Sequence, residues 1–130
     1  MNSLQPLIQS RIVTLREQRV MLDADLAQLY GVETRVLVQA VKRNLARFPA
    51  DFMFRLTSAE WDSLRSQFVI LKTGRAKHRK YTPLAFTEHG AIMAAAVLNS
   101  PRAVEVSVHL VRAFVRVQQL LSTNANLATK

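Results

Sequence analysis

The chain has no cysteine and very little glycine, and each shortage excludes a class of site. Among its 130 residues there are 3 glycines and no cysteine. The absence of cysteine excludes a disulfide scaffold and a cysteine-based metal site, and it fits a reducing compartment. The three glycines are scattered, so a glycine-rich loop that could cradle phosphates is excluded as well.

Long apolar runs are also missing. The longest apolar stretch extends from Ala91 to Leu98, whereas a transmembrane helix needs about 20 apolar residues. The N-terminus lacks the basic segment, apolar core and small-residue cleavage site of a signal peptide. The sequence therefore predicts neither a membrane span nor a secretory signal, and no membrane partner.

The sequence contains no pattern of residues that is typical of an enzyme. His78, His89 and His109 are far apart, with neither an HExxH pattern nor a cysteine partner. Glu88 and His89 are neighbours, and neighbours on a helix face different ways. We therefore expect no enzymatic activity, no cofactor and no bound metal.

Apolar residues and positive charge are abundant. Apolar residues make up 49% of the 130 residues, which predicts one folded domain with its own core. The 18 basic and 9 acidic residues give a net charge of +9, which predicts a polyanionic partner such as DNA, RNA or an anionic surface. RNA is less favoured, because the few aromatic residues offer little to stack on unpaired bases.

The segment from Met21 to Arg47 has the pattern of a helix-turn-helix. Asp23 is the predicted N-cap of the first helix. The apolar face of that helix is formed by Leu22, Leu26, Leu29 and Tyr30. Gly31 tolerates the left-handed conformation that ends helices. Thr34 is then expected to cap the second helix, and Pro49 to stop it.

This second helix, over residues 34–47, separates an apolar face from a basic one. The predicted buried residues are Leu37, Ala40, Val41, Asn44, Leu45 and Phe48. On the other face, Arg35 could bind guanine, Gln39 adenine and Val38 a thymine methyl group in a major groove. The predicted DNA-binding residues of the helix are Thr34, Arg35, Val38, Gln39, Lys42, Arg43 and Arg47, the last three on phosphates. The alternative is an ordinary amphipathic helix whose solvated face is basic.

A second basic segment lies between residues 72 and 80. It holds five cations and one histidine without any acid: Lys72, Arg75, Lys77, His78, Arg79 and Lys80. The flanking segments 68–71 and 81–86 have extended patterns, so we predict a β-hairpin or an arm with a positively charged tip. Such an arm can follow a phosphate backbone, and a solvated turn is the alternative.

The other segments predict short strands and capped helices. Strands are expected at residues 12–15, 19–22 and 52–56, the first two as a hairpin. Thr57 and Glu60 have the spacing of a capping box, and Thr87 is expected to cap a later helix. The predicted fold class is therefore α+β, a small helix-turn-helix-containing domain with short β-hairpins and a long C-terminal helix.

That last helix, from Arg102 to about Leu121, is apolar over a wide arc. Its apolar residues are Val104, Val108, Val111 and Val115 in one stripe, with Leu110, Phe114, Val117 and Leu121 beside it. We expect part of this surface to pack on the domain and the rest to form a homodimer, with contacts at Phe114 and Val117. A monomer whose last helix closes its core is the alternative.

The predicted organisation is a flexible leader (1–10), one domain (11–121) and a polar tail (122–130).

The order of these motifs resembles the N-terminal DNA-binding domain of phage antirepressor-like proteins, in the branch named for open reading frame six and related to KilA-N domains. The matching segments are VMLDADLAQLYGVET, QAVKRNLARFPADFMFRL, LRSQ, YTPLAFTE and VLNSPRAVEVSVHLVRAFV, and with their surroundings they cover roughly residues 13–117. The resemblance implies a KilA-N-like domain from bacteria or their phages. At Val38, on the predicted reading face, that family usually has asparagine.

Together, the residues and the resemblance predict a transcriptional regulator of phage or prophage type that binds double-stranded DNA. We expect it in the cytoplasm of a bacterium or a phage-infected cell. The helix over 34–47 would lie in the major groove, and the loop over 72–80 on the backbone. The alternative is a protein-interaction (antirepressor) module that binds a repressor protein, with DNA binding secondary.

Overall fold

The computed structural model describes residues 4–67 and 81–128, and this part of the chain forms the predicted α+β fold. Short strands are interspersed among the helices along the chain. In order they are α1 (Leu4–Arg11), β1 (Val13–Leu15), β2 (Gln18–Leu22), α2 (Asp23–Tyr30), α3 (Thr34–Arg43), a 3-10 turn (Leu45–Arg47), β3 (Met53–Arg55), α4 (Ser58–Gln67), β4 (Leu84–Phe86), α5 (Glu88–Leu98) and α6 (Pro101–Ala128).

The strands form one antiparallel sheet in the order β1-β2-β4-β3. The predicted hairpin of β1 and β2 is confirmed. In β4, Ala85 pairs with Leu22 on one edge and with Phe54 on the other. Both edges of Ala85 are therefore occupied, whereas residues 68–71 of the predicted hairpin or arm lie outside the described residues.

The turn between β1 and β2 consists of Arg16 and Glu17, with φ of 53° and 63°. A two-residue type I′ turn requires positive φ at both positions and usually contains asparagine and glycine. The Arg16 side chain is anchored instead: its Nε lies 2.8 Å from Glu60 Oε2, and its guanidinium lies 4.0 Å from the centroid of the Phe54 ring. The bond from Arg16 and the backbone N–H of Thr57 hold the pKa of Glu60 down at about 2.

Two apolar clusters lie on opposite faces of the sheet. The larger one joins the sheet to α1, α2, α3, α5 and α6, with buried residues that include Ile8, Leu26, Leu37, Phe86, Ala94 and Leu110. The smaller one lies under α4 and includes Val20, Leu22, Phe54, Trp61 and Leu64. In β2, Met21 belongs to the first cluster, and Val20 and Leu22 belong to the second, as the two-residue period of a strand requires.

Helix α1 replaces the flexible leader that the sequence predicted over residues 1–10. Ile8 is fully buried, and Gln5 Nε2 donates to the carbonyl oxygen of His109 on α6 at 3.0 Å. The prediction is therefore wrong for residues 4–10. The surface against which α1 packs belongs to α6, which is distant in the chain, so no local sequence pattern indicated this helix.

Helix α6 begins one residue before its predicted start, and part of its apolar surface packs on the domain, as expected. Ser100 Oγ accepts a hydrogen bond from the backbone N of Ala103 at 3.1 Å and so caps the helix. The buried residues are Ala103, Val106, Leu110, Ala113 and Phe114. Phe114 is only 3% exposed and belongs to the protein's own core, so its prediction as a dimer contact is wrong. Val117 is half-buried, and the helix continues past Leu121 to Ala128.

Candidate nucleic-acid interface

Helices α2 and α3 are joined by a short turn at Gly31, as predicted. Gly31 has a φ of 75°, and its N–H points back to the carbonyl oxygens of Ala27 and Gln28. The N–H of Val32 adds a bond of 3.0 Å to Ala27. The left-handed residue thus satisfies carbonyl groups that the end of α2 leaves open and turns the chain into α3.

The caps of these two helices differ from the prediction. Asp23 is the first residue of α2 rather than its N-cap; it is buried, and its Oδ2 accepts from the backbone N of Leu84 at 3.1 Å. Its carboxylate therefore ties α2 to the sheet. Thr34 is likewise the first residue of α3, because Glu33 has the extended backbone of the N-cap position. Glu33 makes no side-chain cap bond and instead pairs with Arg35, its Oε1 lying 2.9 Å from Arg35 Nη2.

The ionisable side chains of α2 are all bound to other elements, so of these two helices only α3 exposes charged side chains. The hydroxyl of Tyr30 donates to the carbonyl oxygen of Ala91 on α5 at 2.8 Å, and burial raises the pKa of this tyrosine. Asp25 forms an ion pair with Arg11. Burial raises the pKa of Asp25 against the opposing pull of Arg11, so its charge is held in a partly dry environment.

Helix α3 presents the two faces that its sequence predicted. Leu37, Ala40 and Val41 are buried. The opposite face carries exposed side chains at Arg35, Gln39, Lys42 and Arg43, followed by Arg47 in the 3-10 turn. The four helical side chains fall within an arc of about 100° on a helix with 3.6 residues per turn. They can therefore reach a single external surface together.

The end of α3 differs from the predicted helix over 34–47. The α-helix stops at Arg43, Asn44 has a φ of −129°, and its Nδ2 donates to the carbonyl oxygen of Ala40 at 2.8 Å. Leu45, predicted to be buried, is 58% exposed as a result. Val38 is half-buried and packs against the main core, so only part of it faces the exposed side of the helix.

The exposed face of α3 is positively charged, and of its cations only Arg35 has a neighbouring carboxylate, that of Glu33. The sequence from Thr34 to Ala50 contains no acidic residue. Within residues 4–67 and 81–128, Lys42, Arg43 and Arg47 form no ion pair with a carboxylate. Their charges are therefore available to an external anion such as a phosphate group.

Arg102 adds a positive charge that the sequence did not indicate. A Cβ placed on Gly31 would lie 2.6 Å from Arg102 Cδ and 2.8 Å from its Nε, so this side chain covers the turn before α3. Arg102 is exposed. The two residues are distant in the chain and meet only because α6 starts beside the turn, so no sequence motif could have revealed the contact.

The predicted basic loop lies outside the described residues. The DNA-binding roles of its candidate residues stay predictions; these residues are Lys72, Arg75, Lys77, His78, Arg79 and Lys80.

Elsewhere, His89 stacks on Phe52 with 5.5 Å between ring centroids. In the ranges that the structure covers, no cluster of His, Asp or Glu side chains could hold a metal ion, and no helix could cross a membrane.

Comparison with known proteins identifies the family. The family model of the ORF6N domain matches residues 10–97, which include α2, α3, the four strands and most of α5. The protein therefore belongs to the ORF6N domain family, which confirms the resemblance seen in the order of its motifs. No curated protein and no solved structure was found to match the chain.

Proposed function

We propose that this ORF6N-domain protein binds double-stranded DNA as a phage-type regulator, with α3 in the major groove. The observation that carries the proposal is the exposed face of α3, where three cations and Gln39 share one narrow arc. Membership of the family is compatible with a phage-type regulator or an antirepressor. A helix with a basic outer face and an apolar inner face suits a groove lined by phosphates.

Buried residues hold α3 in a fixed position. Recognition of a DNA base sequence requires such a fixed position. Leu37 and Val41 are at most 1% exposed and fix the helix in the main core. Side chains that must contact base edges need such a fixed support, because a shift of a fraction of an ångström misaligns paired hydrogen bonds.

Each polar residue on this face has a role in the proposed complex. Arg35 and Gln39 lie in the first half of α3 and would reach base edges. Lys42, Arg43 and Arg47 follow and would contact the phosphates that flank the groove. Arg35 would leave Glu33 to do so, and this costs little because an exposed ion pair is worth only about 0–1 kcal/mol.

The alternative is an antirepressor module that binds a repressor protein. The observation in its favour is Leu45, whose apolar side chain is 58% exposed directly beside the basic face. A protein partner with an acidic rim and an apolar centre would use both features, whereas a phosphate backbone would use only the charge.

Fluorescence anisotropy tests the proposal with duplex DNA, single-stranded DNA and duplex RNA, each titrated at several salt concentrations. We expect the tightest binding to duplex DNA. Four contacts, from Lys42, Arg43, Arg47 and Arg102, would give a log–log salt slope of about −3.6, and contacts from the basic loop would make it steeper. Weak binding to all three nucleic acids would refute the proposal and favour the antirepressor function.

Two further measurements separate the parts of the proposed interface. Lys77→Ala combined with Arg79→Ala should flatten the salt slope by about 1.8 if the basic loop lies on the backbone; an unchanged slope would remove the loop from the interface. An acidic repressor that competes with duplex DNA for the domain would indicate that protein and DNA use the same face.

A further inference from the structure

Helix α6 carries an apolar stripe on the side that faces away from the core. The stripe consists of Val104, Val108, Val111 and Val115, and within the described ranges nothing covers it. Val104 is 52% exposed, Val108 49% and Val115 44%, whereas Val111 is half-buried. Exposed β-branched residues in one continuous row on a capped helix are typical of a contact surface.

The spacing of the stripe is that of a helix that pairs with another helix. The four valines follow one another at intervals of four, three and four residues. This order of intervals is that of successive d and a positions of a heptad repeat, which keep a narrow seam facing a partner helix.

Two charged residues beside the stripe identify the partner. Glu105 and Arg112 are exposed, lie one heptad apart on the same side of the seam, and form no ion pair within the residues that the structure describes. If two identical α6 helices pair antiparallel about a centre between residues 109 and 110, Glu105 of each copy lies on the same side of the seam as Arg112 of the other, about 3 Å from it along the helix axis, so their side chains can meet. Val104 then faces Val115, and Val108 faces Val111.

A parallel pair would not use these charges. In a parallel pair, a residue on the left of the seam of one helix contacts a residue on the right of the seam of the other helix. For Glu105 and Arg112 those positions are occupied by residues such as Ser107 and Phe114, neither of which is charged.

We propose that a second copy of this chain docks antiparallel on α6 through the valine stripe. The contact has two-fold symmetry, the commonest arrangement of homodimers. Its contacts are the exposed valines and the two Glu105–Arg112 pairs, and they exclude the buried Phe114. This self-association needs no DNA, so it stands or fails separately from the function proposed above.

Sedimentation velocity of the full 130-residue chain without DNA tests the proposal. We expect a dimer at micromolar concentrations and its loss in Val108→Glu, whose circular dichroism spectrum should remain that of the wild type because Val108 is 49% exposed. Leu121→Glu is the matched control, because Leu121 is 41% exposed on α6 but lies off the stripe. A wild-type monomer at every concentration would overturn the proposal, as would dissociation caused by Leu121→Glu and not by Val108→Glu.

Charge exchange tests the antiparallel register. Glu105→Arg and Arg112→Glu each place like charges opposite one another twice and should each weaken the dimer about tenfold. An equimolar mixture of the two variants should restore association, because every introduced charge then faces its opposite in the mixed dimer. The doubly substituted chain should also associate as the wild type does. Failure of both the mixture and the double variant to recover would overturn the antiparallel arrangement.

Discussion

Replacing Gly90 by alanine should destabilise this protein, although alanine is normally the better helix former. The first turn of α5 lies directly against the chain before β3. The carbonyl oxygen of Phe52 accepts from the backbone N of Thr87 at 3.0 Å and from its Oγ1 at 3.1 Å. A Cβ on Gly90 would lie 2.0 Å from that carbonyl oxygen and 2.9 Å from its carbon.

The size of the effect follows from these distances. Ordinary van der Waals contact begins at 3.4 Å, so α5 and the Phe52 backbone would have to separate by more than an ångström. This movement would break both bonds from Thr87, at about 1 kcal/mol each, and would disturb the packing by about 1–3 kcal/mol. Because alanine is a better helix former than glycine, it stabilises α5 by about 1 kcal/mol. The net loss is about 2–4 kcal/mol, or a fall in Tm of about 10 °C for a chain of this size.

Thermal and urea unfolding followed by circular dichroism would measure this loss. The matched control is Ala96→Gly, an exposed position in the same helix, which should cost about 1 kcal/mol through helix propensity alone. A Gly90→Ala variant as stable as the wild type, or more stable, would show that α5 does not approach Phe52 as closely as described.

Three predictions concern the interface and pH. Gln39→Ala should lose discrimination between duplex sequences but keep most of the non-specific affinity, and equal weakening on every sequence would contradict its role. Arg43→Gln should reduce the salt slope of duplex binding by about 0.9, whereas Arg116→Gln, an equal charge change at an exposed position on α6, should leave it unchanged; identical effects would mean that only net charge matters. The bond from Arg16 lowers the pKa of Glu60 from 4.5 to about 2. Its ionised form therefore stabilises the fold fully above about pH 4.5, and this stabilisation is lost as the pH falls towards 2. Glu60→Gln should accordingly lower the urea midpoint at pH 7 and have little effect at pH 2, and an equal loss at both pH values would refute the ion pair.

Features of the fold that arise within a few residues could be predicted from the sequence. The capping box is confirmed by the bonds from the backbone N of Thr57 to Glu60 Oε1 at 2.8 Å and from the backbone N of Glu60 to Thr57 Oγ1 at 3.1 Å. The left-handed Gly31 and the cap at Thr87 are confirmed for the same reason. Each of these features depends on groups that are neighbours in the chain.

Features that depend on distant partners could not be predicted. A strand of three residues such as β4 has too short a pattern to select its neighbours, and its position between β2 and β3 follows from packing on both faces. Helix α1 gave no periodic apolar signal, because Ile8 is its one buried residue and the helix is held by contacts with the distant α6. The exposed face of α3 followed from helical periodicity, whereas the exposure of Leu45 depends on the end of the α-helix at Arg43.

The hairpin turn at Arg16 and Glu17 is a position where a substitution could raise the free energy of unfolding of this protein. Two successive non-glycine residues in the left-handed region cost about 1–2 kcal/mol each, a strain that the chain tolerates at a site remote in sequence from α3. Glu17 makes no ion pair among the described residues, so glycine could replace it without loss of a side-chain partner. A variant stabilised at this turn could accept destabilising changes on α3, the helix that we propose binds DNA.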